Sequence, residues 1–282
     1  MTHTSLDLTR RPTAEFTPAQ LAEFLNLGFE DYLIPVRFTA QGLERRMRPE
    51  HLDPYASSVY FAGDQPAGVI LMARRGWTSR VAAMGVAKPF RGQGVGRRML
   101  GEALGEARSR GDRKMLLEVF EQNLSALQLY QAVGFRVQRR LLGYQRPAEP
   151  GQAADLVEID PLHYAQVAAR EYEPDLPWML TPETLAGWVA PVRAFRLTEG
   201  AAYALVNDTP GEHFLLWGLV VPKAQRQKGW GRRMLRALVA LHGGKACQVV
   251  QTVPEELARQ FLARLGFTPL PLNQFEMCYD LS

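Results

Sequence analysis

Apolar positions change their spacing several times along this chain. At "TPAQLAEFLNLGF" (17–29) they recur as on one helical face, behind Thr17 as N-cap and Pro18 at the first helical position. "TAQGLERRM" reads as a second helix. Short apolar runs follow: "SSVYFAG" and "GVILMARR" are strands around a turn at Asp64-Gln65, and "RVAAMGV" is a third. From Val95 the spacing is helical again, with Met99, Ala103, Leu104 and Ala107 on one face and Gly111 as cap. "KMLLEVF" predicts a strand, and "NLSALQLYQAVGF" a helix running into a further strand.

The same order then returns. "PLHYAQVAAREY" and "PETLAGWV" predict helices, "RAFRLTE", "AAYALVN" and "HFLLWGLVV" strands. "GWGRRMLRALVALHGG" from Gly229 repeats the opening of "GVGRRMLGEALGEARSRG" from Gly94, and "LARQFLARLGF" parallels "ALQLYQAVGF". These similarities predict two copies of one domain, residues 1–148 and 149–282, joined by the Pro/Gly/Ala-rich linker "QRPAEPGQAAD" (145–155). An antiparallel start followed by strand, loop, helix, strand and helix predicts an α+β fold with an α/β mixed sheet in each copy. A length of 282 residues accommodates two such domains.

Composition narrows the field. The net charge of +4 comes without a lysine-rich tract or basic helix, so no nucleic-acid partner is expected. No apolar run is long enough for a membrane span, and the N-terminus lacks an apolar signal region. The expectation is a cytoplasmic monomer or homodimer. The five histidines are scattered and Cys247 and Cys278 lie far apart, so no metal site is expected. Cys247 has no adjoining His, Asp or Glu to activate it, and both thiols read as reduced.

"RGQGVGRR" (91–98) places Gly92, Gly94 and Gly96 between a strand and a helix. Glycines there let backbone N–H groups approach a ligand closely. The free N–H groups and the dipole of the helix start favour phosphate. Arg91 and Arg97 add charge. Taken alone, the loop also has a plainer reading as a tight strand-to-helix turn. A P-loop does not fit, since the Gly-Lys-Ser/Thr ending is missing. Glu118 lies where a dinucleotide fingerprint wants an acid, but the glycine spacing is wrong for one.

Arg91-x-x-Gly94-x-Gly96 together with "LLEVFEQNLSALQLYQAVGF" (116–135) resembles the GNAT superfamily of acetyl-CoA-dependent N-acetyltransferases. The first copy is most similar to the bacterial N-terminal acetyltransferases of ribosomal proteins. The resemblance implies a V-shaped split between two central strands that takes acetyl-CoA as cosubstrate. Met84 and Val86 would line the pantetheine arm, with Asn123 opposite. Arg91, Gly92, Gln93, Gly94, Val95, Gly96 and Arg97 would hold the pyrophosphate. It implies direct attack by a primary amine on the thioester, with Glu118 as base through water and Tyr130 as acid. Glu118 reads equally well as a strand-end carboxylate paired with an arginine. Glu30, Asp31 and Tyr32, between the two N-terminal helices, are candidates for contact with the acceptor. The alternative is a CoA-binding regulatory module without turnover.

The second copy keeps Arg226, Gly229 and Gly231 as a candidate second CoA loop, with extra residues before Arg226. Aligning "LGF" with "VGF" puts Leu262 at the Tyr130 position, Glu255 at Asn123 and Val250 at Glu118. The second copy is therefore expected to be catalytically silent.

Overall fold

The structure is a computed structural model that describes residues 6–172, 175–207 and 211–282. In chain order its elements are β1 (Thr9–Pro12), α1 (Pro18–Gly28), α2 (Ala40–Glu50), β2 (Ser58–Ala62), β3 (Gln65–Arg75), β4 (Thr78–Val86), α3 (Val95–Ser109), β5 (Lys114–Phe120), α4 (Leu124–Val133) and β6 (Arg136–Arg146). There follow β7 (Leu156–Ile159), α5 (Pro161–Glu171), α6 (Pro182–Ala186), β8 (Val192–Leu197), β9 (Tyr203–Asn207), β10 (His213–Val220), α7 (Trp230–Leu241), β11 (Ala246–Pro254), α8 (Glu255–Arg264), β12 (Thr268–Pro269) and β13 (Gln274–Asp280). The mixed sheet with flanking helices is the fold class that the sequence pattern predicts.

The chain forms two compact units. One is Met1–Gln138 with Phe275–Ser282, the other Arg139–Gln274. The expected boundary at residue 148 does not coincide with this division. Most of β6 joins the second unit, where it pairs antiparallel with β11. Met277 of β13 is fully buried in the core of the first. The 145–155 stretch is not a free linker. Glu149 N–H donates to Gly244 O (3.1 Å) and Gln152 N–H to Arg236 O (3.2 Å), which docks it on the second unit.

In the first unit the strand order is β1-β2-β3-β4-β5-β13. One face packs on α3 and α4 through Met99, Leu100, Met115 and Leu117. The other packs on α1 and α2 through Leu25, Leu43, Val59 and Leu71. Thr17 and Gln20 close a capping box at α1, which satisfies N–H groups that the helix leaves free. The start of the chain also holds β1, a short, charged strand that the apolar pattern did not announce.

The feature that positions the site is a parting of strands. β4 and β5 are parallel and pair only from Thr78↔Lys114 to Val81↔Leu117. β4 then runs on to Val86, still paired with β3, and β5 runs on to Phe120. The β3–β4 register slips at Leu71/Met72, leaving Ala82 as the extra residue of a bulge. A bulge bends and twists its strand, and this one sits where β4 leaves β5. The second unit repeats it: β10 and β11 pair only from His213↔Ala246 to Leu215↔Gln248, and Trp217 is the bulged residue.

Candidate active site

The site is built where β4 and β5 diverge. Beyond Val86 the chain turns through the glycine loop into α3. Gly92 (φ 75°) and Gly94 (φ 84°) take left-handed backbone that a side chain would strain. Gly94 is the N-cap and has no side chain to satisfy the first turn, so those N–H groups are offered to the split. A Cβ on Gly96 would lie 2.9 Å from Leu129 Cδ2, so glycine here lets α3 and α4 approach closely.

The charged and polar loop residues have other tasks. Arg91 Nε donates to Val86 O (3.0 Å) and its Nη2 to Glu30 O (2.7 Å). The guanidinium ties the loop to the end of β4 and to the α1–α2 segment rather than standing free for phosphate. Gln93 Nε2 donates to Pro89 O (2.7 Å), which braces the turn. Val95 is buried and packs in the core, whereas Arg97 is exposed at the helix start. Met84 and Val86 lie beyond the last β4–β5 pair, where β4 has lost that partner.

Across the split stands the start of α4. Asn123 caps it, its Oδ1 accepting from Ala126 N–H (3.3 Å). Its side chain also bonds the Tyr32 hydroxyl. Burial raises the Tyr32 pKa above its ordinary value, and this bond from Asn123 opposes the shift. The Tyr32 ring lies 6.2 Å from that of Phe120 at the end of β5. Tyr130, one face of α4 further on, is buried. Burial, with a smaller contribution from nearby Tyr32, pushes its hydroxyl well above the usual phenol value. The structure thus brings Tyr32, Asn123 and Tyr130 together.

Glu30 and Asp31 do not join them. Both are exposed, and Asp31 pairs with Lys88 (2.9 Å) beside the glycine loop. Glu118 is on the α1–α2 face and is not free. Arg80 Nε lies 3.0 and 2.9 Å from its two oxygens. Sequence reasoning missed Arg80 and its second partner, Glu50. The signal was present as an arginine inside the otherwise apolar "SRVAAMGV". Among the described residues no group of three or more His, Cys, Asp and Glu is placed to hold a metal.

The second unit keeps the backbone of this site. Gly229 has φ 82°, close to Gly94, and Gln227 takes the left-handed conformation of Gly92 despite its side chain (φ 64°). Arg226 repeats the clamp, donating to Val221 O (3.1 Å) and Glu171 O (2.9 Å). The interval from the bulge to the loop is the same in both units, so the extra residues expected before Arg226 are absent. Strand register places Val250 opposite Glu118 and Leu215 opposite Arg80. Around the bulge, Tyr164 and Tyr172 share a hydroxyl contact of 2.7 Å, and Trp188 and Trp217 lie 5.0 Å apart. A Cβ on Gly218 would come within 2.2 Å of the Tyr164 hydroxyl, so these rings fill the face that α1 and α2 cover in the first unit.

The sequence profile of the acetyltransferase (GNAT) family matches residues 21–135 and again 154–267. Among solved structures, a tandem GNAT protein from the clavulanic acid biosynthesis pathway is similar along nearly all of both chains. It is 19% identical, covering 98% of this chain and 99% of its own, with a TM-score of 0.72. A GCN5-related N-acetyltransferase from Sphaerobacter thermophilus is 14% identical, covering 97% and 96%, with a TM-score of 0.69. A putative acetyltransferase from Pyrococcus horikoshii is 16% identical, covering 97% and 89%, with a TM-score of 0.68. A search of curated proteins finds no significant match.

Proposed function

We propose a reaction for a chain that belongs to the acetyltransferase (GNAT) family: transfer of an acetyl group from acetyl-CoA to a primary amine, carried out by the first unit. The observation that carries this reading is the parting of β4 and β5 above an N–H-rich helix start, with a buried tyrosine beside it. Phosphate charge suits the loop end of the split, and a pantetheine arm can hydrogen-bond to a strand edge.

The amine must be neutral to attack. An α-amine of pKa about 8 is roughly 10–20% neutral at pH 7, and a lysine at about 10.4 is below 0.1%. Glu118 is held by Arg80 at both of its oxygens. Held in this way, it can orient the incoming amino group and a water. The larger neutral fraction favours the α-amine of a peptide as the acceptor. The nitrogen of the neutral amine forms the new C–N bond at the carbonyl carbon, the C–S bond breaks to release the CoA thiolate, and the proton lost from nitrogen passes to water. Tyr130 stays protonated throughout the physiological range because burial raises its pKa. It can donate a hydrogen bond to the sulfur as charge develops there.

The test is calorimetry with acetyl-CoA, followed by turnover on peptides with free α-amines, polyamines and aminoglycosides, read by thiol release. One site per chain and turnover lost in Tyr130→Phe are expected. Two sites would assign CoA to Arg226, Gly229 and Gly231 as well. Binding without turnover on any amine would leave a CoA-binding module and overturn the reaction.

A further inference from the structure

Four charged side chains form a row on the α1–α2 face of the first unit. Arg46 Nη2 of α2 lies 3.2 Å from Glu50 Oε2, at the end of the same helix. Arg80 Nη1 of β4 donates to the same Glu50 oxygen at 3.1 Å. On its other side Arg80 Nη2 is 2.8 Å from Glu118 Oε2 of β5. Side-chain exposure falls from 28% at Arg46 to 3% at Glu50, 7% at Arg80 and 10% at Glu118.

Stability does not account for this row. Taking an ion out of water costs several kcal/mol, and apolar replacements of a buried pair are often neutral or stabilising. The second unit has made those replacements, with Leu215 and Val250 at the positions of Arg80 and Glu118. It still folds to the same parted sheet.

The place of the row is informative. The last β4–β5 pair is Val81↔Leu117, so Arg80 and Glu118 tie the two strands together at the apex of the split. Glu118 shares a face of β5 with Phe120, two residues on, whose ring lies 6.2 Å from that of Tyr32. Its carboxylate therefore lies on the face where Tyr32 stands.

We propose that Arg80 is a positioning residue: it fixes the Glu118 carboxylate at the apex for contact with an N–H of the acceptor's amino group, and Glu50, backed by Arg46, fixes Arg80. Each Glu118 oxygen accepts from Arg80 on one side and retains a lone pair for an N–H of the acceptor. The acetyl-CoA half of the split lies beyond this apex and makes no use of the row. The proposal rests on the reaction assigned above.

The experiment is steady-state kinetics of the full chain at pH 7. It uses acetyl-CoA and a hexapeptide with a free α-amine, comparing wild type with Arg80→Lys, Arg80→Met and Glu50→Gln. Loss of a charge-assisted contact is expected to raise KM for the peptide by about 10–100-fold in Arg80→Met. KM for acetyl-CoA and calorimetric affinity for it stay within about twofold. Arg80→Lys restores part of the loss, and Glu50→Gln moves in the same direction by a smaller factor. Equal changes in both KM values, or no rescue by lysine, would overturn the proposal while leaving the reaction intact. If Arg80→Met does not fold, the same split is read from Arg80→Lys and Glu50→Gln, and its absence there overturns the proposal. Wild type that acetylates no amine removes the reaction and the proposal together.

Discussion

At Gly94 and Gly229 the backbone torsions nearly coincide, φ 84°, ψ −2° and φ 82°, ψ 0°. Each loop is locked by an arginine that donates to the carbonyl at or just past a strand end and to a carbonyl at or just past the end of a helix. Around these loops the side chains diverge. The first unit has Arg80, Glu118, Asn123 and Tyr130. The second has Leu215 and Val250 by strand register, and Glu255 and Leu262 by sequence. A glycine loop with its arginine is thus a way of turning a strand into a helix that both units share. The side chains at the strand parting and on the following helix distinguish the two units.

The largest effect expected from breaking that contrast is on stability. Glu50→Gln removes one partner from a buried ion row and should cost about 3–5 kcal/mol at pH 7, read by denaturant titration. Burial opposes ionisation of Glu50, but Arg46 and Arg80 together hold its pKa below the ordinary value. A depressed folded pKa means that the contribution is present above the unfolded pKa, about 4.3, and fades as pH falls through the folded one. The gap between wild type and variant should therefore close under acid, and a gap independent of pH would refute the linkage. Next, Tyr130→Phe should lower kcat by about 10²–10³-fold, as expected on losing a general acid or donor. Leu262→Ala in the second unit should leave kcat within about twofold when measured below its melting temperature.

Smaller effects follow at the loops. Gly94→Ala forces a side chain into left-handed backbone at about 1–2 kcal/mol and should raise KM for acetyl-CoA up to tenfold. Gly229→Ala has the same local strain and should leave that KM unchanged. A matching rise would show that the second loop takes part in turnover. The smallest is a gain: Gly101 lies inside α3 with no atom within 4 Å of an added Cβ. Gly101→Ala should stabilise by about 0.5–1 kcal/mol in thermal melts.

Much of this architecture was legible in the sequence, because helices and strands write their period into neighbouring residues. The repeat and the glycine loop were readable from local pattern, whereas Tyr130 and Asn123 came only through the family resemblance of "LLEVFEQNLSALQLYQAVGF". Tyr32 was readable only as a candidate, since its bond to Asn123 joins distant segments. Glu30 and Asp31 looked equally eligible, yet the turn after α1 leaves them at the surface with Lys88. Arg80 and Glu50 were hidden because an ion pair between a strand and a helix 30 residues away leaves no periodic trace. The exchange of β6 and β13 was hidden for a related reason. "QFEMCYD" reads as a strand whichever sheet receives it.

That exchange bears on how the protein is made. Domains ordinarily fold in the order of their synthesis. Here the first unit needs Met277 in its core and β13 beside β5. It must therefore wait while residues 139–274 leave the ribosome. Until then β5 presents an open edge, the kind of surface that recruits stray strands. A translation product that stops short of β13 keeps that edge of β5 uncovered.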